Sequence, residues 1–204
     1  MKAVLFCGGK GRRMFPFSTY RPKCLLPIGN IPLLKHWLIA LQEMRIEETI
    51  LICDPVEARQ FRGLTEEFPF SRIVSAENRQ IWEALENLCS EQPVLLANGD
   101  GFLSVLDLKR LLSSYEEKGN SILLNQIEDF RSTECICADV QDKVVSLYGH
   151  PRAHYVNAQS CGVATIDNSV LRYLHTTQSG FHKLPCGGMP DSSLHLADLL
   201  QNAL

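Results

Sequence analysis

The opening stretch, Met1 to Pro27, constrains this chain more than any other. Lys2-Ala3-Val4-Leu5-Phe6 is a short apolar run rich in strand formers, and it empties into Cys7-Gly8-Gly9-Lys10-Gly11-Arg12-Arg13. Met14-Phe15-Pro16-Phe17-Ser18, Arg21-Pro22-Lys23 and Leu25-Leu26-Pro27 follow. A buried first strand that feeds a glycine turn is a phosphate-binding device. Glycines let the backbone approach an anion, and successive N–H groups can point at its oxygens. Two arginines and a lysine add positive charge that can follow phosphoryl oxygens through a reaction. Two familiar phosphate motifs are excluded. A Walker loop needs Gly-Lys-Ser/Thr after its spacer, and the dinucleotide fingerprint needs a third glycine where Met14 stands.

Length and charge narrow the field. The 204 residues suffice for one domain with a substantial core. The net charge is −3, and positive charge is concentrated in the first loop rather than in a basic tail, which argues against nucleic acid as a partner. No apolar segment approaches the ~20 residues of a membrane span, so no membrane partner is expected. The first strand is too short, and too soon followed by charge, for a signal peptide. Of the eight cysteines, Cys7, Cys53 and Cys89 lie in or beside apolar runs, where a free thiol acts as a small hydrophobe. The one-residue spacing of Cys135 and Cys137 is neither a zinc nor a redox motif. A reducing cytoplasm is the expected compartment.

Taken in order, Asn30 is placed to cap a helix with Pro32 in its first turn, and Leu33, Leu34, Trp37, Leu38, Leu41 and Met44 recur at helical spacing. Thr49 to Cys53 predicts a buried strand stopped by Asp54-Pro55. A helix is expected over Val56 to Glu66, a strand over Arg72 to Ser75, and a helix marked by Ile81, Trp82, Leu85, Leu88 and Cys89. Pro93 to Ala97 predicts a strand that ends at Asn98-Gly99-Asp100. Ser104 caps a helix carrying Leu108, Leu111, Leu112 and Tyr115. Alternating strands and helices imply an α/β architecture, a parallel sheet covered on both faces. After Gly119 the pattern changes. Ser121 to Ile127, Glu134 to Val140, Lys143 to Leu147 and Gly162 to Ile166 predict strands with short connections, with Asn168 capping a helix through Leu174. Ser179 to Pro190 predicts a loop, and a last helix starts at Asp191 or Ser192. One domain over 1–204 is expected, in two halves at about 1–118 and 119–204.

The opening resembles the nucleotidyltransferase signature of the sugar-nucleotide pyrophosphorylases: Gly-Gly-x-Gly-Thr-Arg, a Pro-Leu-Thr segment, then Pro-Lys-Pro-Leu-Leu-Pro. Gly8, Gly9, Gly11, Arg13, Pro16, Pro22, Lys23, Leu25, Leu26 and Pro27 stand where that family has them. The resemblance implies a single-domain, Rossmann-like nucleotidyltransferase fold of the GT-A kind, mainly parallel in its central sheet. Its first half would bind the NTP and its second the acceptor. It implies transfer of NMP from an NTP to a sugar 1-phosphate, hexose or heptose, with pyrophosphate released. Gly8, Gly9 and Gly11 would cradle phosphates, joined by Gly99. Arg13 would neutralise the leaving pyrophosphate, and Lys23 would sit on the α-phosphate and the attacking phosphate. Arg12 stands where the family has threonine; a further phosphate contact and a solvated side chain are both open. Asp100 takes the place of the metal-binding aspartate. A carboxylate facing a triphosphate needs a cation between them, and Mg²⁺ prefers one or two carboxylates plus phosphate oxygens. A turn with Asp100 as a helix cap is the alternative.

Other stretches depart from the family. Asn78-Arg79-Gln80 to Leu85 has no glycine where a Gly-Thr-Ala-Gly-like segment would seat the base; Gln80 or Asn78 at a base edge and a helix start on the surface are both open. Leu147-Tyr148-Gly149-His150-Pro151 replaces Glu-Lys-Pro, putting His150 in place of the lysine that would hold the sugar phosphate. Ser160-Cys161-Gly162 resembles the family's Asn-Ala-Gly, with Ser160 and Gly162 on the acceptor. The second metal aspartate has no obvious equivalent; Cys186 occupies one alignment, and Asp191 and Asp198 are nearby. The acceptor is therefore open, with phosphocholine or a phosphonate as non-sugar alternatives. A regulatory or binding protein that keeps the fold without turnover is the rival reading. Members of this fold are often oligomeric, which leaves a homo-oligomer open by analogy.

Overall fold

The computed structural model describes residues 1–9, 11, 14–76, 85, 92–126, 135–148, 156–173, 200 and 203–204. Its elements run β1 (Lys2–Phe6), a hairpin of β2 (Pro27–Ile28) and β3 (Ile31–Pro32), α1 (Leu33–Glu43), β4 (Glu48–Cys53), α2 (Ala58–Glu67), β5 (Ser71–Ser75) and β6 (Val94–Asn98). Then come α3 (Val105–Lys118), β7 (Ser121–Gln126), β8 (Cys135–Ala138), β9 (Val144–Tyr148), β10 (Ala158–Ile166) and the single turn α4 (Asn168–Leu171).

Eight strands form one sheet in the order β5-β4-β1-β6-β10-β8-β9, with β7 paired to β10. β5, β4, β1 and β6 are mutually parallel, and β10 joins β6 antiparallel through Val163–Ile166. Strand side chains alternate between faces, so a parallel strand covered on both sides must be apolar throughout. Ala3, Leu5, Leu51, Leu95 and Ala97 pack on one face with Leu34, Leu38 and Leu41 of α1, Phe61 of α2 and Leu108 of α3. Val4, Ile50, Ile52, Val94 and Leu96 pack on the other with Leu85 and with Val170 and Leu171 of α4. The α/β reading with both faces covered is what forms. The carboxyl ends of β1, β4 and β6 share one edge of the sheet, the edge where open α/β sheets bind ligands.

Local chemistry moves several boundaries. Asn30 is not a helix cap. It follows Gly29 at positive φ in the turn of the β2–β3 hairpin, and Pro32 precedes the first residue of α1. α2 starts at Ala58, not Val56, because the Asp54 carboxylate accepts from the Val56 N–H (2.9 Å) and holds a turn there. β8 stops at Ala138, where Asp139 accepts from the N–H groups of Gln141 and Lys143. β10 begins at Ala158, well before Gly162. That glycine lies inside the strand at a register shift against β7, as bulge glycines do. Asp167, rather than Asn168, caps α4 by accepting from the Ser169 N–H (2.8 Å). The helix marked by Ile81 to Cys89 lies outside the described residues except for the buried Leu85, and the final helix lies outside them except for Leu200 and Ala203.

Candidate active site

β1 carries the chain to the ligand edge and hands it to the glycine loop. The Cys7 N–H continues the ladder to the Ile52 carbonyl (2.7 Å), and the loop starts directly after it. Gly8 and Gly9 are exposed, and a Cβ on either would meet nothing within 4 Å. Gly11 differs. Its φ of +52° is disfavoured for a side chain, and a Cβ there would sit 3.0 Å from the Ser18 Cβ and 3.6 Å from the Lys23 Cβ. The loop thus packs closely against the segment that bears Lys23.

Lys23 is held from behind. Pro22 is extended, and Lys23–Leu25 form one 3₁₀ turn in which Cys24 and Leu25 are buried. The Cys24 thiol donates to the Cys7 carbonyl (3.5 Å), tying this turn to the base of the glycine loop. Burying the two residues after Lys23 leaves its side chain to point outward, 41% exposed.

Asp100 arrives from β6. Asn98 ends the strand, and the Gly99 N–H donates to the Phe6 carbonyl (2.9 Å). Gly99 is buried, and a Cβ there would lie 2.9 Å from the Cys7 sulfur, so the turn seats against the start of the glycine loop. Packing alone therefore requires that glycine, which the sequence placed at phosphates. The Gly101 N–H closes the turn on the Asn98 carbonyl (3.1 Å), and the indole N–H of Trp37 donates to the Gly101 carbonyl (2.8 Å). The Lys23 ammonium and the Asp100 carboxylate meet as an ion pair across 77 positions of sequence.

β10 borders the same edge beside β6. Gly162, at φ +70°, leaves room for Asn98, whose Nδ2 would be 2.5 Å from a Cβ there. The Ser160 hydroxyl accepts from the Gly162 N–H (2.9 Å). The sequence-predicted residues Gly8, Gly9, Gly11, Lys23, Gly99 and Asp100 thus gather at the ends of β1 and β6, with Ser160 and Gly162 one strand across. Arg12, Arg13, Asn78, Gln80, His150, Cys186, Asp191 and Asp198 lie outside the described residues. Trp37, Cys24 and Asn98 were missed. The helical periodicity marked Trp37 only as core, yet a buried indole N–H needs an acceptor, and that requirement is the signal.

The thiols of Cys7, Cys53 and Cys161 are disfavoured as thiolates. Cys7 is raised well above the usual thiol range, first by its hydrogen bond with Cys24 and then by burial. Burial pushes Cys53 up to about 12. Cys161 is raised by burial as well. Among the described residues no three His, Cys, Asp or Glu side chains gather to form a metal cage, and no helix is long and apolar enough to cross a membrane.

Comparison with known proteins agrees with this geometry. Residues 3–167 match the model of the MobA-like NTP transferase domain. The chain is 23% identical to the bifunctional protein GlmU of Methanococcus aeolicus over 180 residues, covering 86% of this chain and 42% of that protein. It is 28% identical to the D-glycero-alpha-D-manno-heptose 1-phosphate guanylyltransferase of Campylobacter jejuni over 153 residues, 72% of this chain and 67% of the relative. The solved inositol-1-phosphate CTP transferase from T. maritima superposes with a TM-score of 0.77 at 16% identity, covering 99% of this chain and 80% of that one. The chain thus spans under half the length of the GlmU relative, and the structural likeness speaks for the fold. With a family match over most of its length and a glycine loop, lysine and aspartate at one sheet edge, the chain belongs to the MobA-like NTP transferase domain family.

Proposed function

We propose that this chain transfers a nucleoside monophosphate from an NTP to a phosphorylated small-molecule acceptor, with a hexose or heptose 1-phosphate as the first class to test. A phosphate oxygen of the acceptor attacks the α-phosphorus, the bond to the β-phosphate oxygen breaks in line, and pyrophosphate leaves with the electron pair. No enzyme-bound intermediate is required, and catalysis is positioning and charge neutralisation. The observation that carries this reading is the meeting of Lys23 and Asp100 beside an open glycine loop. Gly8, Gly9 and Gly11 would receive the phosphates, Lys23 the α-phosphate and incoming phosphate, and Arg13 the departing charge.

Asp100 would hold Mg²⁺. One hard oxygen donor group on an exposed rim fits that ion, which keeps waters and substrate phosphates as its other ligands. When bound, the ion would neutralise charge developing on the phosphates. Ser160 and Gly162 would face the acceptor, with the Asn98 side chain taking the space that a Cβ at Gly162 would fill. Among the described residues Cys7, Cys24, Cys53, Cys137 and Cys161 are free thiols, which suits a reducing setting such as the cytoplasm.

The test is pyrophosphate release with each NTP, Mg²⁺ and a panel of hexose, heptose and non-sugar phosphates. Release that depends on both substrates supports the reading. Saturable nucleotide binding, seen as a thermal shift, without release from any pair would overturn it in favour of the regulatory alternative.

A further inference from the structure

Lys23 and Asp100 were assigned separate tasks, one toward phosphate and one toward a cation. In the free protein, however, they hold each other. Neither side chain has another ion pair or side-chain hydrogen bond among the described residues. The pair spans the two parts of the site, since Lys23 is seated through Cys24 on the base of the glycine loop and Asp100 stands on the Gly99–Gly101 turn. The Trp37 indole N–H holds the Gly101 carbonyl of that turn and so fixes the backbone from which Asp100 projects. An ammonium and a divalent cation seek the same carboxylate oxygens, and both cannot own them.

We propose that Lys23 competes with the divalent cation for Asp100, so that the free protein binds the cation weakly and nucleotide binding releases the site for it. This inference rests on the reading above that Lys23 serves phosphate and Asp100 serves the cation. The space over Gly8 and Gly9 is open to an incoming triphosphate. A triphosphate carries more negative charge than one carboxylate and draws the ammonium to itself, which leaves Asp100 uncovered. Cation and nucleotide then bind with positive coupling, and the same factor must appear whichever binds first. Before substrate arrives, the lysine neutralises a carboxylate that would otherwise repel the triphosphate. Lys23 is 41% and Asp100 35% exposed, so solvent screens the pair and the competition is modest, about fivefold in cation affinity.

Mn²⁺ is the probe, titrated into nucleotide-free protein and followed by the electron paramagnetic resonance of the unbound ion. Lys23→Met should bind Mn²⁺ about fivefold more tightly than the parent. Asp100→Asn should remove that binding in both backgrounds. Lys35→Met removes one positive charge from a pair with Glu67 on α1 and α2, and should leave the affinity unchanged. A second measurement needs no variant of Lys23. Acylation of Lys23 by an anhydride, read by mass spectrometry, should speed up when Mn²⁺ is added to the parent protein; in Asp100→Asn it should be fast with or without the ion. The proposal is overturned if Lys23→Met binds no more tightly, if its gain survives Asp100→Asn, or if Mn²⁺ leaves Lys23 acylation unaltered. These titrations use no acceptor and no turnover. Failure to release pyrophosphate would sink the proposed activity without deciding the exchange, and an inert Lys23 in an active enzyme would sink the exchange alone.

Discussion

In β1, β4 and β6 nearly every side chain is buried, alternating between two cores, whereas β7 is half-exposed along its length and β9 shows Val145 to solvent at 57%. The first group delivers the glycine loop and Asp100. The second frames Ser160 and Gly162 and rests on a small cluster of Ile136, Leu147 and Ala158. A strand covered on both faces tolerates little change in volume, and the turns at its end inherit that rigidity. A thinly covered antiparallel half can exchange side chains at low cost. Among the described residues, the pyrophosphorylase pattern changes at Ser160 on this second side and is kept at Gly8, Gly9, Gly11, Lys23 and Asp100 on the first.

Substitutions can break this contrast. The largest effect is expected at Lys23→Ala, which should lower kcat by about a thousandfold while leaving thermal unfolding within a degree or two of the parent, because the side chain is 41% exposed and its pair with Asp100 is screened by solvent. Survival of turnover within a few-fold would remove Lys23 from the chemistry. Leu38→Ala empties a fully buried site in the first core and should cost about 3 kcal/mol in denaturant unfolding. Val145→Ala on β9 should cost under about 0.5 kcal/mol. Equal losses would show that the two halves are equally packed.

Gly162→Ala combines a left-handed backbone with a Cβ set against the Asn98 amide, a cost of about 1–3 kcal/mol. The acceptor KM should rise while the nucleotide KM stays put; a change in the nucleotide KM alone would move Gly162 to the other half of the site. Trp37→Phe keeps the ring in the core but leaves the Gly101 carbonyl without its donor, a loss of about 1 kcal/mol. Mn²⁺ affinity should fall several-fold with it, and an unchanged affinity would mean that the Gly101 turn holds Asp100 unaided. The smallest effect is an absence of reaction. Iodoacetamide at pH 8 should leave Cys7, Cys24 and Cys53 unlabelled in the folded protein, since all three are buried, and labelling before unfolding would show that the loop opens.

The strands of the parallel half were legible because each is a short continuous apolar run ended by a polar turn. α1 and α3 were legible because their apolar residues recur at helical spacing, and Ser104 caps α3 as its position predicts, accepting from the Asp107 N–H (3.1 Å). Errors fell where one residue type serves two local structures. Asn30 fits a helix cap and a positive-φ turn equally well, and the hairpin with Gly29 decided between them. Gly162 fits a strand boundary and a bulge, and pairing with β7 decided for the bulge. Asp54 and Asp139 trimmed elements by capturing nearby N–H groups, a competition that periodicity does not register.

The site divided in the same way. Gly8 to Lys23 is local, and its residues alone carry the resemblance to the nucleotidyltransferase signature. The lysine's partner is not local, since 77 positions separate it from Asp100 and only the pairing of β1 beside β6 closes that distance. The Trp37 strut likewise depends on α1 packing across the sheet to reach the Gly101 turn. Sequence by itself determined which strands are buried, where the glycine loop lies and which charged residues neighbour it in the chain, because those are properties of neighbours along the chain. Tertiary structure decided which charges meet, which glycines exist to make room for another residue, and what braces the aspartate, because those depend on atoms that only folding brings within a few ångströms.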